Sequence, residues 1–255
     1  MYLEEFEKLV EIMKRLRKEC PWDRAQTPES LRQYIMEEAY ETIETIDNKN
    51  WSELKKELGD LLLQIVFQAE IAEEENRFTL ESIIQHINEK LIERHPHVFG
   101  EIKVNNADEV KDNWERIKVE KENRKSIFDG LPKIMSSLLL AQRIQDKASQ
   151  VGFDWENPKD VIKKIKEEIN ELENSHLQNE VEAEMGDLIF SMVNLSRFYK
   201  INAEDALRQT ITKFIRRFQY IERKLSEQNH SLQDTSLEEM DVLWEESKNK
   251  IDKDQ

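Results

Sequence analysis

The chain has 255 residues, of which 54 are acidic and 38 basic, so its formal net charge is −16. Charge of this sign repels the phosphates of nucleic acids and anionic membrane surfaces, so neither is an expected partner. Only 5 glycines and 5 prolines occur, while 36% of the residues are charged and 38% are hydrophobic. Few chain-breaking residues among many charges are typical of long amphipathic helices, so the sequence predicts an all-α protein.

The single cysteine of the chain, Cys20, allows no intramolecular disulfide. The sequence therefore predicts a protein of the reducing cytoplasm. The longest apolar runs, such as residues 61–63, are far shorter than the roughly 20 residues that a membrane-spanning helix needs.

Four helices are predicted in the first half of the chain. Apolar residues recur at helical spacing from Leu3 to Lys18. Thr27 and Pro28 are typical of an N-cap and a first helical position, so the next helix should begin near residue 28. Two more helices should start at about residues 51 and 79.

The second half of the chain repeats this order. Helices are predicted there over residues 134–149 and from about residues 158, 178 and 203. Asn157 and Pro158 again fit an N-cap and a first helical position. Residues 129–132, Asp-Gly-Leu-Pro, are typical of a linker. We therefore expect two tandem domains, 1–128 and 129–255.

Several groups of functional residues occur twice in the same order. In the first half they are Trp22-Asp23, Thr27-Pro28, Glu37 to Glu41 and Glu57 to Asp60. In the second half they are Phe153-Asp154, Asn157-Pro158, Glu167 to Glu171 and Glu184 to Asp187. Pro158 follows Pro28 by 130 residues, and Gly186 follows Gly59 by 127. So many matches in order indicate that one helical module has been duplicated.

Each copy carries acidic pairs on two successive predicted helices, and residues three or four apart share a helix face. The pairs are Glu38 with Glu41 and Glu57 with Asp60 in the first copy, and Glu168 with Glu171 and Glu184 with Asp187 in the second. Carboxylates that are buried together raise one another's pKa values, and a divalent cation removes this penalty. Oxygen ligands suit Mg²⁺ or Mn²⁺, so the sequence predicts metal binding in both copies.

A solvated acidic face is the alternative interpretation of any one of these pairs, and the repetition of the whole set favours the metal. Gly59 and Gly186 lie between the Glu and the Asp in the middle of a predicted helix, where glycine costs about 1 kcal/mol relative to alanine. Close packing by another helix and close approach of a ligand are equally good reasons for a residue without a side chain there.

Basic and aromatic residues follow the acids in each copy. Lys213 and Arg217 are four residues apart and suit a polyphosphate opposite a metal site, although surface ion pairs are the alternative. Trp244 suits stacking on a nucleobase or packing in the core. The counterparts in the first copy are Lys90, Arg94 and Trp114, with Lys118 matching Lys248.

These residues resemble the MazG family of all-α nucleoside triphosphate pyrophosphohydrolases. The resemblance rests on the two acidic sets and on residues 20–23, 94–100, 151–155 and 213–218. It implies Mg²⁺-dependent hydrolysis of (deoxy)nucleoside triphosphates to the monophosphate and pyrophosphate by a homodimer. The duplication resembles MazG proper rather than single-copy relatives such as the dimeric dUTPases.

The resemblance also implies roles for individual residues. The implied metal ligands are Glu168, Glu171, Glu184 and Asp187, with Glu38, Glu41, Glu57 and Asp60 as their first-copy counterparts. The implied substrate-binding residues are Glu168, Lys213, Arg217 and Trp244, and the second copy is the active one in such proteins. Lys164 lies one turn before Glu168 and is a further candidate to reach the phosphates. Glu167 is the candidate to orient or deprotonate the water that attacks the α-phosphorus. The candidate catalytic residues are therefore Glu167 and the four acids of the second copy, Glu168, Glu171, Glu184 and Asp187.

Three other classes of protein remain open on the residues alone. A non-catalytic helical module would bind a nucleotide or a protein partner without releasing pyrophosphate. A di-iron carboxylate bundle would need Glu-x-x-His patterns on its helices. A plain helical scaffold would leave the repeated charged set unexplained.

Overall fold

The structure, a computed structural model, describes residues 2–104, 106, 109–110, 113–114 and 125–251. Over these residues the regular secondary structure is entirely helical, which confirms the predicted fold class. The chain divides into two compact units, Met1–Ile117 and Lys118–Gln255. The border predicted after residue 128 falls inside the second unit and stays a prediction, and Lys118 lies outside the described residues.

The first unit is built around one long central helix. Its helices are α1 (Tyr2–Glu19), α2 (Pro21–Ala25), α3 (Arg32–Asp47), α4 (Trp51–Glu74), α5 (Leu80–Arg94) and α6 (Pro96–Phe99). Both α1 and α3 pack against α4. The buried core consists of Met13 on α1, Leu31 in the turn before α3, and three residues of α4, Val66, Phe67 and Ile71.

The second unit repeats the pair of acidic helices. Its helices are α7 (Ser137–Gln150), α8 (Pro158–Asn174), α9 (Gln178–Phe198), α10 (Ala203–Glu227) and α11 (Leu237–Ile251), with a 3₁₀ turn at Leu232–Asp234. Helix α9 packs against both α7 and α8, and α10 packs against α11. Among the described residues, no helix is long and apolar enough to cross a membrane.

The predicted start of α3 near residue 28 is wrong, although the corresponding prediction for α8 is confirmed. The Thr27 hydroxyl accepts a hydrogen bond from the Ser30 N–H at 3.2 Å, and the Ser30 hydroxyl accepts one from the Thr27 N–H at 3.0 Å. These bonds close a separate turn, and α3 begins only at Arg32. In the second unit the Asn157 side chain accepts from the Lys159 N–H at 3.0 Å, and α8 begins at Pro158.

Other helix starts follow their caps. Asn50 caps α4 and Asn202 caps α10, each by accepting the backbone N–H three residues later. The predicted helix from residue 134 begins instead at Ser137, and Ile134, at the predicted start, is 92% exposed. Apart from these two starts, the predicted helices lie where the sequence placed them.

Candidate functional site

The second unit brings three predicted metal ligands together. One carboxylate oxygen each of Glu168, Glu171 and Glu184 lies within 4.8 Å of the others, and we call this group the second acidic cluster. Glu168 and Glu171 share one face of α8, and Glu184 faces them from α9. Glu168 is only 3% exposed, whereas Glu171 is exposed and Glu184 half-buried.

The first unit repeats this arrangement. Glu38 and Glu41 on α3 meet Glu57 on α4, again with oxygens within 4.8 Å of one another, and we call this group the first acidic cluster. Here Glu38 and Glu57 are half-buried and Glu41 is exposed. The sequence spacing therefore predicted correctly that these acids share a face and meet across two helices.

The fourth predicted acid lies near each cluster. Burial raises the pKa of Glu38, and the charges of Asp60 and Glu41 add to the effect. Burial likewise raises the pKa of Glu184, with further contributions from the cluster and from Asp187. Carboxylates that hinder one another's ionisation form a donor set that fits a hard divalent cation, because the cation's charge offsets their repulsion.

The second acidic cluster contains a positively charged side chain that the first acidic cluster lacks. The Lys164 Nζ lies 2.7 Å from a carboxylate oxygen of Glu167 and 2.7 Å from one of Glu168. The hydrogen bond to Glu167, followed by that to Glu168, raises the pKa of Lys164 and keeps the amine charged. The residue 130 positions earlier is Tyr34, so the first acidic cluster has no cation at this position.

No described helix of the chain packs against either mid-helix glycine. A side-chain carbon placed on Gly59 or Gly186 would meet no atom of the described chain within 4 Å. Of the two explanations offered by the sequence, close packing is therefore wrong for the helices that the structure describes. Close approach of a ligand stays a prediction.

The predicted phosphate and base contacts lie on the last two helices. The Arg217 guanidinium carbon lies over the Trp244 ring at 5.4 Å from its centroid, and Phe214 packs on the same ring at 5.1 Å. Lys213, one turn before Arg217 on α10, is exposed. None of the predicted trio, Lys213, Arg217 and Trp244, is among the described residues that line the cavity beside the second acidic cluster.

That cavity has a volume of about 540 Å³ and lies within the second unit. Its charged side is lined by Lys164, Glu168 and Asp187. Other parts of its wall are lined by the aromatic rings of Phe128, Phe153, Trp155 and Phe190. This volume is within the range of small-molecule sites, which are mostly apolar with a few polar groups.

Polar side chains complete the cavity wall. Arg197 forms an ion pair with Asp154 and donates a hydrogen bond to the Asn194 side-chain oxygen at 2.9 Å. Gln145 is buried, and its amide nitrogen donates to the Phe190 carbonyl at 2.8 Å. Its amide oxygen has no hydrogen-bond partner among the residues that the structure describes.

Sequence reasoning missed the cavity residues Gln145, Phe190, Asn194 and Arg197. The signal that could have found them is a difference between the copies. With the 127-residue offset, Asn194 and Arg197 occupy the positions of Phe67 and Glu70. A polar residue where the other copy has a core phenylalanine indicates a change from packing to binding.

The di-iron alternative is not supported by the helices. Glu-x-x-His occurs at Glu173 to His176 and at Glu227 to His230. Helix α8 ends at Asn174 and α10 ends at Glu227, so both histidines lie beyond their helices. A bundle site would need the pair on one helix face.

Comparison with known proteins agrees with this geometry. The MazG nucleotide pyrophosphohydrolase domain matches twice, at residues 26–99 and 156–221. The nucleoside triphosphate pyrophosphohydrolase/pyrophosphatase MazG of Thermotoga maritima is 46% identical, with 95% of each chain covered. The nucleoside triphosphate pyrophosphohydrolase of Escherichia coli K12 is 39% identical over 96% of this chain and 98% of its own. The chain therefore belongs to the MazG nucleotide pyrophosphohydrolase family, as its motifs indicated.

Proposed function

We propose that the chain hydrolyses (deoxy)nucleoside triphosphates to the monophosphate and pyrophosphate, with Mg²⁺ or Mn²⁺ in the second unit. One observation carries this proposal: the buried Glu168 belongs to a carboxylate cluster and also lines a cavity of about 540 Å³. Metal ligands and a pocket of nucleoside size therefore share Glu168, and Asp187, the proposed fourth ligand, lines the same pocket. The names of the Thermotoga maritima and Escherichia coli relatives support the same substrate class.

The second acidic cluster fits the cation. Glu168, Glu171 and Glu184 would hold it, and Asp187 is the proposed fourth ligand. When bound, the cation would lower the pKa of a water molecule and offset the negative charge of the phosphates.

The remaining residues supply position and proton transfer. Glu167 is next to a ligand and exposed, so we assign it to orient the attacking water and accept its proton. Lys164 now holds the carboxylates of Glu167 and Glu168. An α-phosphate oxygen would compete for that amine and free Glu167 to act as a base. Lys213 and Arg217 are assigned to the leaving pyrophosphate.

The test compares matched variants of the two clusters. Glu168→Gln should lower pyrophosphate release in Mg²⁺ by at least about 100-fold, since even a residue that only supports a metal ligand is worth 10- to 100-fold. Glu38→Gln, the same change in the first unit, should leave the rate near that of the wild type. Normal release by Glu168→Gln would contradict the assignment to the second unit.

The same assay separates the main rival. A non-catalytic helical module would bind nucleoside triphosphate without releasing pyrophosphate. Such a result for the wild-type chain would replace hydrolysis by binding as the proposed function.

We also propose that the chain is a homodimer in the cytoplasm. The location stays a prediction that rests on the lone cysteine. The homodimer is supported by apolar side chains that both units leave exposed at helical spacing on the second acidic helix. In the first unit these are Leu58, Leu62 and Ile65, and in the second they are Met185, Ile189 and Met192.

A further inference from the structure

The first acidic cluster is continued by buried oxygen atoms on both of its helices. Thr42 is 9% exposed and lies one turn after Glu38 on α3, and Gln64 is 8% exposed and lies one turn after Asp60 on α4. Neither the Thr42 hydroxyl oxygen nor the Gln64 amide oxygen has a hydrogen-bond partner among the described residues. Buried polar atoms in proteins are almost always paired, so these two oxygens indicate a donor that the described residues do not supply.

Both side chains face the region between α3 and α4. Glu57 meets the acids of α3, and the Gln68 amide nitrogen donates a hydrogen bond to the Pro28 carbonyl, in the turn before α3, at 3.3 Å. Gln64 follows Glu57 by seven residues and precedes Gln68 by four, so all three share one face of α4. Buried Gln64 therefore faces α3. Thr42 is buried on α3, which packs against α4, so it faces the same region from the other side.

The second unit has other residues at these two positions. The 130-residue offset relates Thr42 to Leu172, whose side chain has no polar atom. The 127-residue offset relates Gln64 to Ser191, which lines the cavity of the second unit. The pair of buried oxygens beside the acids is therefore a feature of the first unit, and the duplicated acids alone do not account for it.

The two clusters also differ in charge. In the second unit the Lys164 Nζ lies 2.7 Å from a carboxylate oxygen of Glu168, whereas Tyr34 occupies the equivalent position in the first unit. Lys56, on the same helix as Glu57, forms its ion pair with Glu53, at 2.7 Å. A divalent cation about 4 Å from an ammonium group binds at least about tenfold more weakly, even at the dielectric constant of water. The first acidic cluster is therefore the better cation site when no nucleotide is bound.

We propose that the first acidic cluster is a structural site, which binds a divalent cation more tightly than the second acidic cluster does when no nucleotide is present. The Thr42 and Gln64 oxygens accept hydrogen bonds from water molecules bound to this cation, since Mg²⁺ usually keeps several of its waters in proteins. The cation joins α3 to α4. The inference goes beyond the proposed function, because it gives the first unit a role that needs neither nucleotide nor hydrolysis.

The first test counts the cations that the full chain binds in the absence of nucleotide. In a Mn²⁺ titration followed by electron paramagnetic resonance, the wild type should bind one ion per chain at least about tenfold more tightly than any further ion. Glu38→Gln should lose this tightly bound ion, and Glu168→Gln should keep it. Two equally tight ions, no tight ion, or loss of the tight ion in Glu168→Gln alone would overturn the proposal.

The second test removes the amine from the second acidic cluster. Lys164→Tyr places the residue of the first unit at this position, so the chain should then bind two Mn²⁺ ions tightly. Lys166→Tyr makes the same exchange at an exposed position of α8 and should still bind one ion tightly. A single tight ion in Lys164→Tyr would overturn the proposed difference between the two clusters.

The third test removes the buried oxygens while nearly keeping the shape of each side chain. Thr42→Val and Gln64→Met should each weaken binding of the tight Mn²⁺ ion by about tenfold or more, since a residue that supports the ligands of a metal is worth about 10- to 100-fold in affinity. Thr212→Val, an exposed change on α10, is the control and should bind Mn²⁺ as the wild type does. Wild-type affinity in both Thr42→Val and Gln64→Met would overturn the role of the two oxygens.

Thermal unfolding shows that these variants fold. In EDTA neither Thr42→Val nor Gln64→Met should unfold at a lower temperature than the wild type, because each loses a buried polar atom that has no partner in the described chain. Mn²⁺ should raise the unfolding temperature of the wild type more than that of either variant, and an equal rise in all three would contradict the site. Failure of the proposed function would show separately, as an absence of pyrophosphate release by the wild-type chain, and would leave these Mn²⁺ results unchanged.

Discussion

At the scale of the residue, Glu38 shows how the acidic clusters lower the stability of the folded chain. Burial, Asp60 and Glu41 raise its pKa above the ordinary value. When the pKa of a carboxyl group is higher in the folded chain than in the unfolded chain, ionisation of that group destabilises the folded chain. The penalty is absent below the unfolded pKa and complete above the folded pKa, so it grows as the pH rises through this window.

Glu38→Gln should therefore stabilise the chain when divalent cations are removed. In EDTA at about pH 7 the variant should unfold at a higher temperature than the wild type, and at about pH 4 the difference should vanish because both side chains are neutral. Added Mg²⁺ should raise the unfolding temperature of the wild type more than that of the variant.

Glu44→Gln, an exposed change on the same helix, is the matched control and should show neither effect. Destabilisation by Glu38→Gln at about pH 7 that vanishes at about pH 4 would mean that the carboxylate stabilises the apo fold, and would remove the electrostatic reason for a cation there.

At the scale of the element, the sequence predicted most helices because caps and apolar spacing act locally. Asn157 and Asn202 cap their helices through bonds that span only two or three residues. The start of α3 was mispredicted because Thr27 has a competing partner, Ser30, which closes a separate turn. A sequence pattern identifies a capping side chain, but it does not show whether that side chain caps the helix or closes a separate turn before it.

The acidic clusters could likewise be predicted, since spacing places Glu168 beside Glu171 on one helix face. The cavity could not, because it depends on how far α7, α8 and α9 lie from one another. Whether Asn194 packs in a core or faces a cavity is decided by the side chains of these neighbouring helices. Comparison with Phe67 in the other copy would have been the nearest substitute for that information.

The mid-helix glycine of α9 gives a test at this scale. A side-chain carbon on Gly186 would meet no atom of the described chain, so Gly186→Ala should raise the free energy of unfolding by about 1 kcal/mol in the absence of metal and nucleotide. Urea denaturation measures this change, and Gly59→Ala on α4 should behave in the same way. A loss of stability in either variant would mean that atoms of another molecule contact the glycine.

At the scale of the whole molecule, each unit leaves the same helix face uncovered. Leu58, Leu62 and Ile65 follow one another at intervals of four and three residues, which places them on one face of α4. Their counterparts on α9 repeat the interval, and all six side chains are at least 38% exposed. An apolar stripe on both units exceeds the scattered apolar residues that are normal on a surface, and the proposed homodimer would cover it.

The stripe predicts the mass of the particle in solution. Light scattering should give about twice the chain mass of 30.5 kDa. Ile189→Lys combined with Met192→Lys should shift the particle towards the single-chain mass, because two amines would be buried without partners in the interface. Glu182→Lys, on an exposed position of the same helix, also adds a lysine to α9 and should leave the mass unchanged. A wild-type particle with the mass of one chain would contradict the homodimer, and the stripe would then need a different partner.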